Sequence, residues 1–212
     1  THSFQTLIQR HEVLQTRFIN QDGKPYLTIA ETTDIDIPVI DLSLIPVAKQ
    51  NKIITQLSEE EAQQTFTLES CPLLRVKLLR LAEEEHILLL TMHHIISDGW
   101  SMGILVQEVA TIYQAFCAEK PSTLETLPFQ YVDFSAWQRK WLQGDNLDTQ
   151  LSYWKTQLKD TSTLLELPSD RPRPVVQNIH GSTYSFTLSQ PLTTQLQSLC
   201  HQAGTTLFML LL

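Results

Sequence analysis

The stretch HILLLTMHHIISDGWSMGILVQEVATIYQAFCA, His86 to Ala118, decides how this chain is read. Its first ten residues, His86 to Ile95, are an apolar run of strand length. After Asp98-Gly99 the apolar positions Met102, Leu105, Val109, Ile112 and Phe116 recur at helical spacing, which predicts a helix to about Ala118. A strand therefore gives way to a helix, and two adjacent histidines, His93 and His94, stand at the changeover. Upstream, LLRVKLLRL (Leu73 to Leu81) pairs with this strand in a predicted hairpin whose tip is Glu83-Glu84-Glu85.

Working outward, residues 3 to 18 place Phe4, Leu7, Ile8, His11, Leu14 and Phe18 at helical spacing, so a helix is predicted there. Asn20 to Lys24 reads as a turn, YLTIAE as a strand, and IDIPVID as a short strand that its proline pushes to a sheet edge. A polar helix is predicted from Pro46 to Phe66, with Glu59-Glu60-Glu61 on a solvated face. Beyond the central helix, two more are predicted near Val132 to Leu142 and Leu147 to Leu158, broken at Gly144-Asp145-Asn146. LPSDRPRPVV (Leu167 to Val176) reads as an extended connector, STYSFTL as a strand, and two helices follow. The fold class is α/β, in the α+β sense of helices on a mixed sheet.

Composition narrows the function classes. The chain has 212 residues, 42% of them hydrophobic, and a net charge of −8 from 15 basic and 23 acidic residues. That balance, without a basic stripe, argues against a nucleic-acid partner. The apolar runs fall short of the roughly 20 residues of a membrane helix, so no membrane partner is expected. Cys71, Cys117 and Cys200 are scattered and odd in number, which fits a reduced, cytoplasmic setting. The chain opens within a helical pattern and closes on the uncapped apolar run TTLFMLLL; a piece of a longer protein is expected.

Three readings of the two histidines compete. In the plainest, both are structural and Asp98 caps the following helix. A metal site needs converging ligands, whereas adjacent strand residues diverge, and no third ligand sits at an obvious spacing. In the catalytic reading, His94, beyond the strand end, accepts or positions a proton. Asp98 then orients the site, and Gly99 lets backbone approach a substrate at the N-terminus of the helix. With no GxSxG and no cysteine near the histidines, direct attack by an external nucleophile is favoured.

MHHIISDGWS (Met92 to Ser101) resembles the HHxxxDG signature of condensation domains in non-ribosomal peptide synthetases, within the chloramphenicol-acetyltransferase-like superfamily. QRHEVLQTRF (Gln9 to Phe18) resembles the family's RHExLRTxF segment, and YVDFSAWQ (Tyr131 to Gln138) its YxDFAxWQ segment. The run from YWKTQL to LPSDRPRP (Tyr153 to Pro174) resembles the next family stretch. Gln15 stands where the family commonly has a second arginine.

The resemblance implies two acetyltransferase-like lobes facing each other across a tunnel. Residues 1–143 would supply the N-terminal lobe without its first elements, and residues 144–212 a connector and the start of the C-terminal lobe. Such a piece is expected to be inactive alone. His94 corresponds to the active-site histidine, His93 to its more buried partner, and Gly99 to the glycine beside the reacting centre. Asp98 corresponds to an aspartate in a buried ion pair, for which Arg10 is the expected partner and Arg75 the fallback. Trp100 and Ser101 complete a DGWS form that resembles domains joining an L-configured donor to an L-configured acceptor, and Trp137 is expected to pack as a supporting residue.

The implied activity is amide-bond formation between two carrier-tethered thioesters in the biosynthesis of antibiotics and other secondary metabolites. No cofactor is bound directly; the substrates arrive on 4′-phosphopantetheine arms. The implied partners are upstream and downstream peptidyl carrier domains and an adenylation domain, in the same polypeptide. Other readings of the signature are a coenzyme A-dependent acyltransferase of the same superfamily, an epimerisation domain, and a catalytically silent docking domain.

Overall fold

A computed structural model describes residues 1–164, 166, 168–176, 181 and 183–212. They form two compact units, Thr1–Lys159 and Asp160–Leu212. This grouping keeps residues 144–159 with the first unit; the sequence reading placed the lobe boundary at 143/144.

The first unit is built on a mixed sheet of β3 (Val39–Asp41), β4 (Leu74–Arg80) and β5 (His86–Met92) in the order β3-β4-β5. β4 and β5 form the expected antiparallel hairpin, in register from Leu74 opposite Met92 to Arg80 opposite His86, with the three glutamates exposed at its tip. β3 lies parallel to β4 at the sheet edge, just after Pro38. A parallel pair needs a crossover, and helix α2 (Val47–Gln63) provides it.

Helix α1 (His2–Arg10) buries Phe4, Leu7 and Ile8. They pack with Leu73, Leu74 and Val76 from the start of β4 and with Leu105 and Ile112 of helix α3 (Gly99–Cys117). Ile8 and Leu7 are 0% and 1% exposed, and burial on that scale contributes about 1.5–3 kcal/mol per side chain. Helices α4 (Tyr131–Trp141) and α5 (Gly144–Gln157) complete this unit. The second unit contains α6 (Gln190–Ala203) and α7 (Leu207–Leu211).

The helix predicted over residues 3–18 stops at Arg10. His11 turns extended (φ −111°, ψ 105°) while its N–H still closes on the Leu7 carbonyl at 3.1 Å. A 3-10 turn, Glu12–Gln15, then returns Leu14 to the buried side, so helical spacing survives after the helix has ended. Phe18 lies in strand β1 (Thr16–Gln21), paired antiparallel with β2 (Lys24–Ile29). The turn between them is only Asp22-Gly23, both at positive φ (52° and 77°), which suits the primed turn of a two-residue hairpin.

Three further expectations are revised. Glu61 is 3% exposed, because Arg75 and Lys77 on β4 draw it in from the solvated face expected of the acidic run. The break expected at Gly144-Asp145-Asn146 falls one step earlier, and these residues form the first turn of α5. Of STYSFTL, Ser182 lies outside the described residues, and residues 183–188 form no strand, since no strand among the described residues pairs with them. Leu167 also lies outside the described residues; residues 168–176 contain neither helix nor strand, as expected of a connector.

Candidate functional site

β5 ends at Met92, so His93 and His94 stand in the turn beyond it and not in the strand as expected. The ladder stops after one more bond, from His93 N–H to the Leu73 carbonyl at 3.0 Å. The two rings diverge all the same. His93 is half-buried, its ring edge-on to Phe66 at 6.0 Å, and its Nδ1 accepts the Ile95 N–H at 3.0 Å. The His93 carbonyl accepts from Ile96 N–H and Ser97 Oγ, so this residue shapes the turn. His94 is exposed and lines a cavity of about 530 Å³.

α3 starts at the cavity because Asp98 and Ser101 form a reciprocal cap. Asp98 Oδ1 accepts the Ser101 N–H at 2.8 Å and its hydroxyl at 2.7 Å, and Ser101 Oγ accepts the Asp98 N–H at 3.2 Å. The hydrogen bond from the Ser101 hydroxyl, then that from its backbone, hold the Asp98 carboxyl below its ordinary 3.8. The Trp100 backbone and the neighbouring charge of His94 act in the same direction. The cap sets the N-terminus of a 19-residue helix at the cavity that His94 lines, with Asp98 and Ser101 in the same lining.

The buried ion pair expected of Asp98 does not form. Asp98 is exposed, and Arg10 instead donates from Nε to both oxygens of Glu108 at 3.2 Å. Asp98 is already satisfied as the cap of α3, and the guanidinium meets the helix at Glu108, nearly three turns further along. Arg75, the fallback, binds Glu61 and the Glu61, Gln64 and Thr65 carbonyls, with its guanidinium 3.8 Å over the Phe66 ring. It closes the end of α2.

Gly99 is the first residue of α3, and a Cβ built there would meet no atom within 4 Å, so packing within the protein does not demand glycine. Trp100 is 83% exposed. Trp137 does not pack into the core as expected: it is 55% exposed, and its ring contacts are Phe134 and Trp141 on its own helix, at 5.7 and 5.8 Å. The aromatic spacing at 134, 137 and 141 sets these rings along one side of the helix, Trp137 stacked on Trp141 and tilted against Phe134. Among the described residues no group of three or more His, Cys, Asp or Glu is placed to hold a metal ion, and no helix is long and apolar enough to cross a membrane. Cys71, Cys117 and Cys200 are free thiols.

Four participants escape a reading of the sequence alone. His11, read there as a packing residue, lines the same cavity as His94, as does Tyr131. Glu108 binds Arg10 and also His11, whose Nε2 lies 2.6 Å from Oε2. Its signal was available: a carboxylate flanked by Leu105, Val109 and Ile112 on an apolar helix face requires a buried partner. Gln130 ties α4 to this corner, donating to the Arg10 carbonyl at 3.0 Å and accepting the Glu12 N–H at 3.1 Å.

Comparison with known proteins agrees with this layout. The family model of the condensation domain matches residues 1–212. A linear gramicidin synthase polypeptide of Brevibacillus parabrevis is 45% identical over 210 residues, which cover 99% of this chain and 3% of that protein. Malpinin synthetase of Mortierella alpina is 39% identical over 210 residues, again 99% of this chain and 3% of that one. The chain thus spans a small fraction of the synthetases it matches. Among solved structures, the X-domain from teicoplanin biosynthesis superposes with a TM-score of 0.82 at 23% identity, covering 96% of this chain and 45% of that one. The starter condensation domain of rhizomide synthetase gives 0.68 at 21% identity, covering 76% and 38%. These likenesses place the fold in the chloramphenicol-acetyltransferase-like class. With a match along its whole length and the HHxxxDG turn at the mouth of its cavity, the chain belongs to the condensation-domain family.

Proposed function

We propose that this chain contributes the His94 face of a site that forms amide bonds between two carrier-tethered thioesters in non-ribosomal peptide synthesis. The observation that carries the reading is the position of His94: an exposed imidazole in the cavity wall, beside the capped N-terminus of α3. The acceptor amine attacks the donor thioester carbonyl, the C–N bond forms, and the donor thiolate leaves with the proton shed by the amine. His94 takes or positions that proton, which contributes about 10²–10⁴-fold. Holding two tethered reactants together supplies the larger share, up to about 7–11 kcal/mol.

His93 serves the turn, Asp98 and Ser101 fix the helix end, and Gly99 leaves room for a reactant beside the backbone. The remaining supports are Arg10, which holds Glu108, and the exposed rings of Trp100 and Trp137. Both reactants come on phosphopantetheine arms of carrier domains, loaded by an adenylation domain of the same cytoplasmic polypeptide, so the chain itself binds no cofactor. The size of the gramicidin synthase polypeptide, of which the matching segment is a small part, supports this setting.

The test is single-turnover transfer from a carrier-bound thioester to an amine-bearing carrier, with chelator present, using the complete polypeptide that carries this chain. Wild-type transfer that falls by about 10²-fold or more in folded His94→Ala supports the assignment. Undiminished transfer in the variant reduces His94 to architecture, and a wild type that moves no acyl group but inverts a stereocentre is an epimerisation domain.

A further inference from the structure

His94 is not alone in the cavity: the ring of His11 stands in the same wall. Its Nε2 lies 2.6 Å from Glu108 Oε2, while Arg10 Nε reaches both Glu108 oxygens at 3.2 Å. The Glu108, Arg10 and His11 side chains are 10%, 17% and 22% exposed. Both Glu108 oxygens accept from Arg10 Nε, so the carboxylate faces His11 as an acceptor. In the neutral His11 ring the proton therefore sits on Nε2, and Nδ1 is left as an acceptor. Among the described residues, Nδ1 has no partner.

An inter-helix clamp would need only Arg10 and Glu108, which already satisfy each other. The imidazole adds another donor to the same carboxylate and sets a polar ring among Leu7, Val13 and Leu14 in the cavity lining. An apolar wall with a few placed polar groups is the ordinary make-up of a small-molecule site. A carboxylate on one imidazole nitrogen is the usual means of fixing the tautomer that the other nitrogen presents.

We infer that His11 is a second reactant-contacting imidazole, whose Nδ1 accepts a hydrogen bond from an N–H of the amine-bearing reactant. Glu108 is the positioning residue that sets its tautomer, and Arg10 fixes the Glu108 carboxylate by donating to both of its oxygens. This inference rests on the condensation reading for the identity of the reactant. His11 makes and breaks no bond; it holds the amine while His94 faces the proton.

The test again uses the complete polypeptide, with a carrier-bound donor thioester and rising concentrations of a soluble aminoacyl pantetheine. His11→Phe keeps an aromatic ring and loses both nitrogens, and is expected to raise the KM for the amine by about 10-fold, the scale of one lost hydrogen bond, with kcat nearly unchanged. Glu108→Gln is expected to raise KM too, because its amide can donate to Nε2 and turn Nδ1 into a donor. The double variant should bind no worse than His11→Phe alone, since Glu108 acts through His11. Unchanged KM in folded His11→Phe, or additive effects in the double variant, overturns the inference. Equilibrium binding of the same aminoacyl pantetheine, read without transfer, separates the two levels. A wild type that makes no bond removes the condensation reading, and the inference then stands or falls on whether His11→Phe binds the probe more weakly than wild type.

Discussion

Arg10 Nε donates to both carboxylate oxygens of Glu108 at 3.2 Å, joining α1 to α3 across 98 positions of sequence. Both side chains are largely buried, at 17% and 10% exposure, so the pair is screened little by solvent. Arg10 also donates to the Glu125 carbonyl at 2.6 Å and so holds the segment before α4.

Removing one partner leaves the other charge buried. Arg10→Ala is expected to lower unfolding free energy by about 3–5 kcal/mol, measured by urea denaturation. The paired replacement Arg10→Met with Glu108→Leu is expected to recover part of that loss: the ion pair is gone from both sides, while His11 Nε2 loses its acceptor.

Asp98 behaves differently because it is an exposed cap. Asp98→Ala is expected to fray the start of α3 and to cost less stability than Arg10→Ala, and Asp98→Asn, which still accepts from Ser101 N–H, less again. The Asp98 carboxyl lies below 3.8, so its capping contribution is complete above that pH and fades as pH falls through the lower folded value. Hydrogen exchange at the Ser101 amide, compared across the three proteins, reads this directly. A loss in Asp98→Ala as large as in Arg10→Ala would restore the buried-pair role that the sequence suggested.

The hairpin, the central helix and the strand-to-helix change are legible because each carries its own pattern: an alternating β4 and an apolar β5 flank a polar tip, and α3 opens on the cap Asp98. What sequence does not show is which charges meet. Arg10 has two carboxylates within reach of argument, Asp98 and Glu108, and only the packing angle of α1 on α3 chooses between them. Helical spacing through residues 3–18 misleads for a related reason. A 3-10 turn and a strand can carry Leu14 and Phe18 to the core at the spacing of a helix, so periodicity alone does not tell them apart. His11 enters the cavity wall through that same break, at the residue where the helix ends.

Gly23 sits at φ 77°, in the second position of the two-residue turn between β1 and β2. Gly23→Ala is expected to cost about 1–2 kcal/mol, the penalty of a left-handed conformation for a residue with a Cβ. Gly23→Asn should lose less, since asparagine tolerates that region. No atom lies within 4 Å of the added Cβ, so the loss measured by urea denaturation comes from the backbone and not from a clash.

Glu61 offers a pH test of the opposite side of the sheet. Burial alone would raise its carboxyl, but hydrogen bonds from Lys77 and Arg75 outweigh that and hold it below its ordinary 4.5. Lys77 Nζ lies 2.6 Å from Oε2, and Arg75 donates to Oε1 while closing the end of α2. The ionised form is therefore favoured in the folded state, and its contribution is complete above pH 4.5. It is lost as pH falls through the lower, folded value, because the unfolded chain takes up the proton first. Glu61→Gln is expected to be less stable than wild type by about 3–5 kcal/mol at pH 7, with Arg75 and Lys77 left facing a neutral amide. The gap should narrow on acidification below pH 4.5, where the wild-type carboxyl becomes neutral as well. Urea denaturation of both proteins from pH 7 to pH 3 checks this; a gap that stays constant across that range would mean that Glu61 contributes shape and not charge.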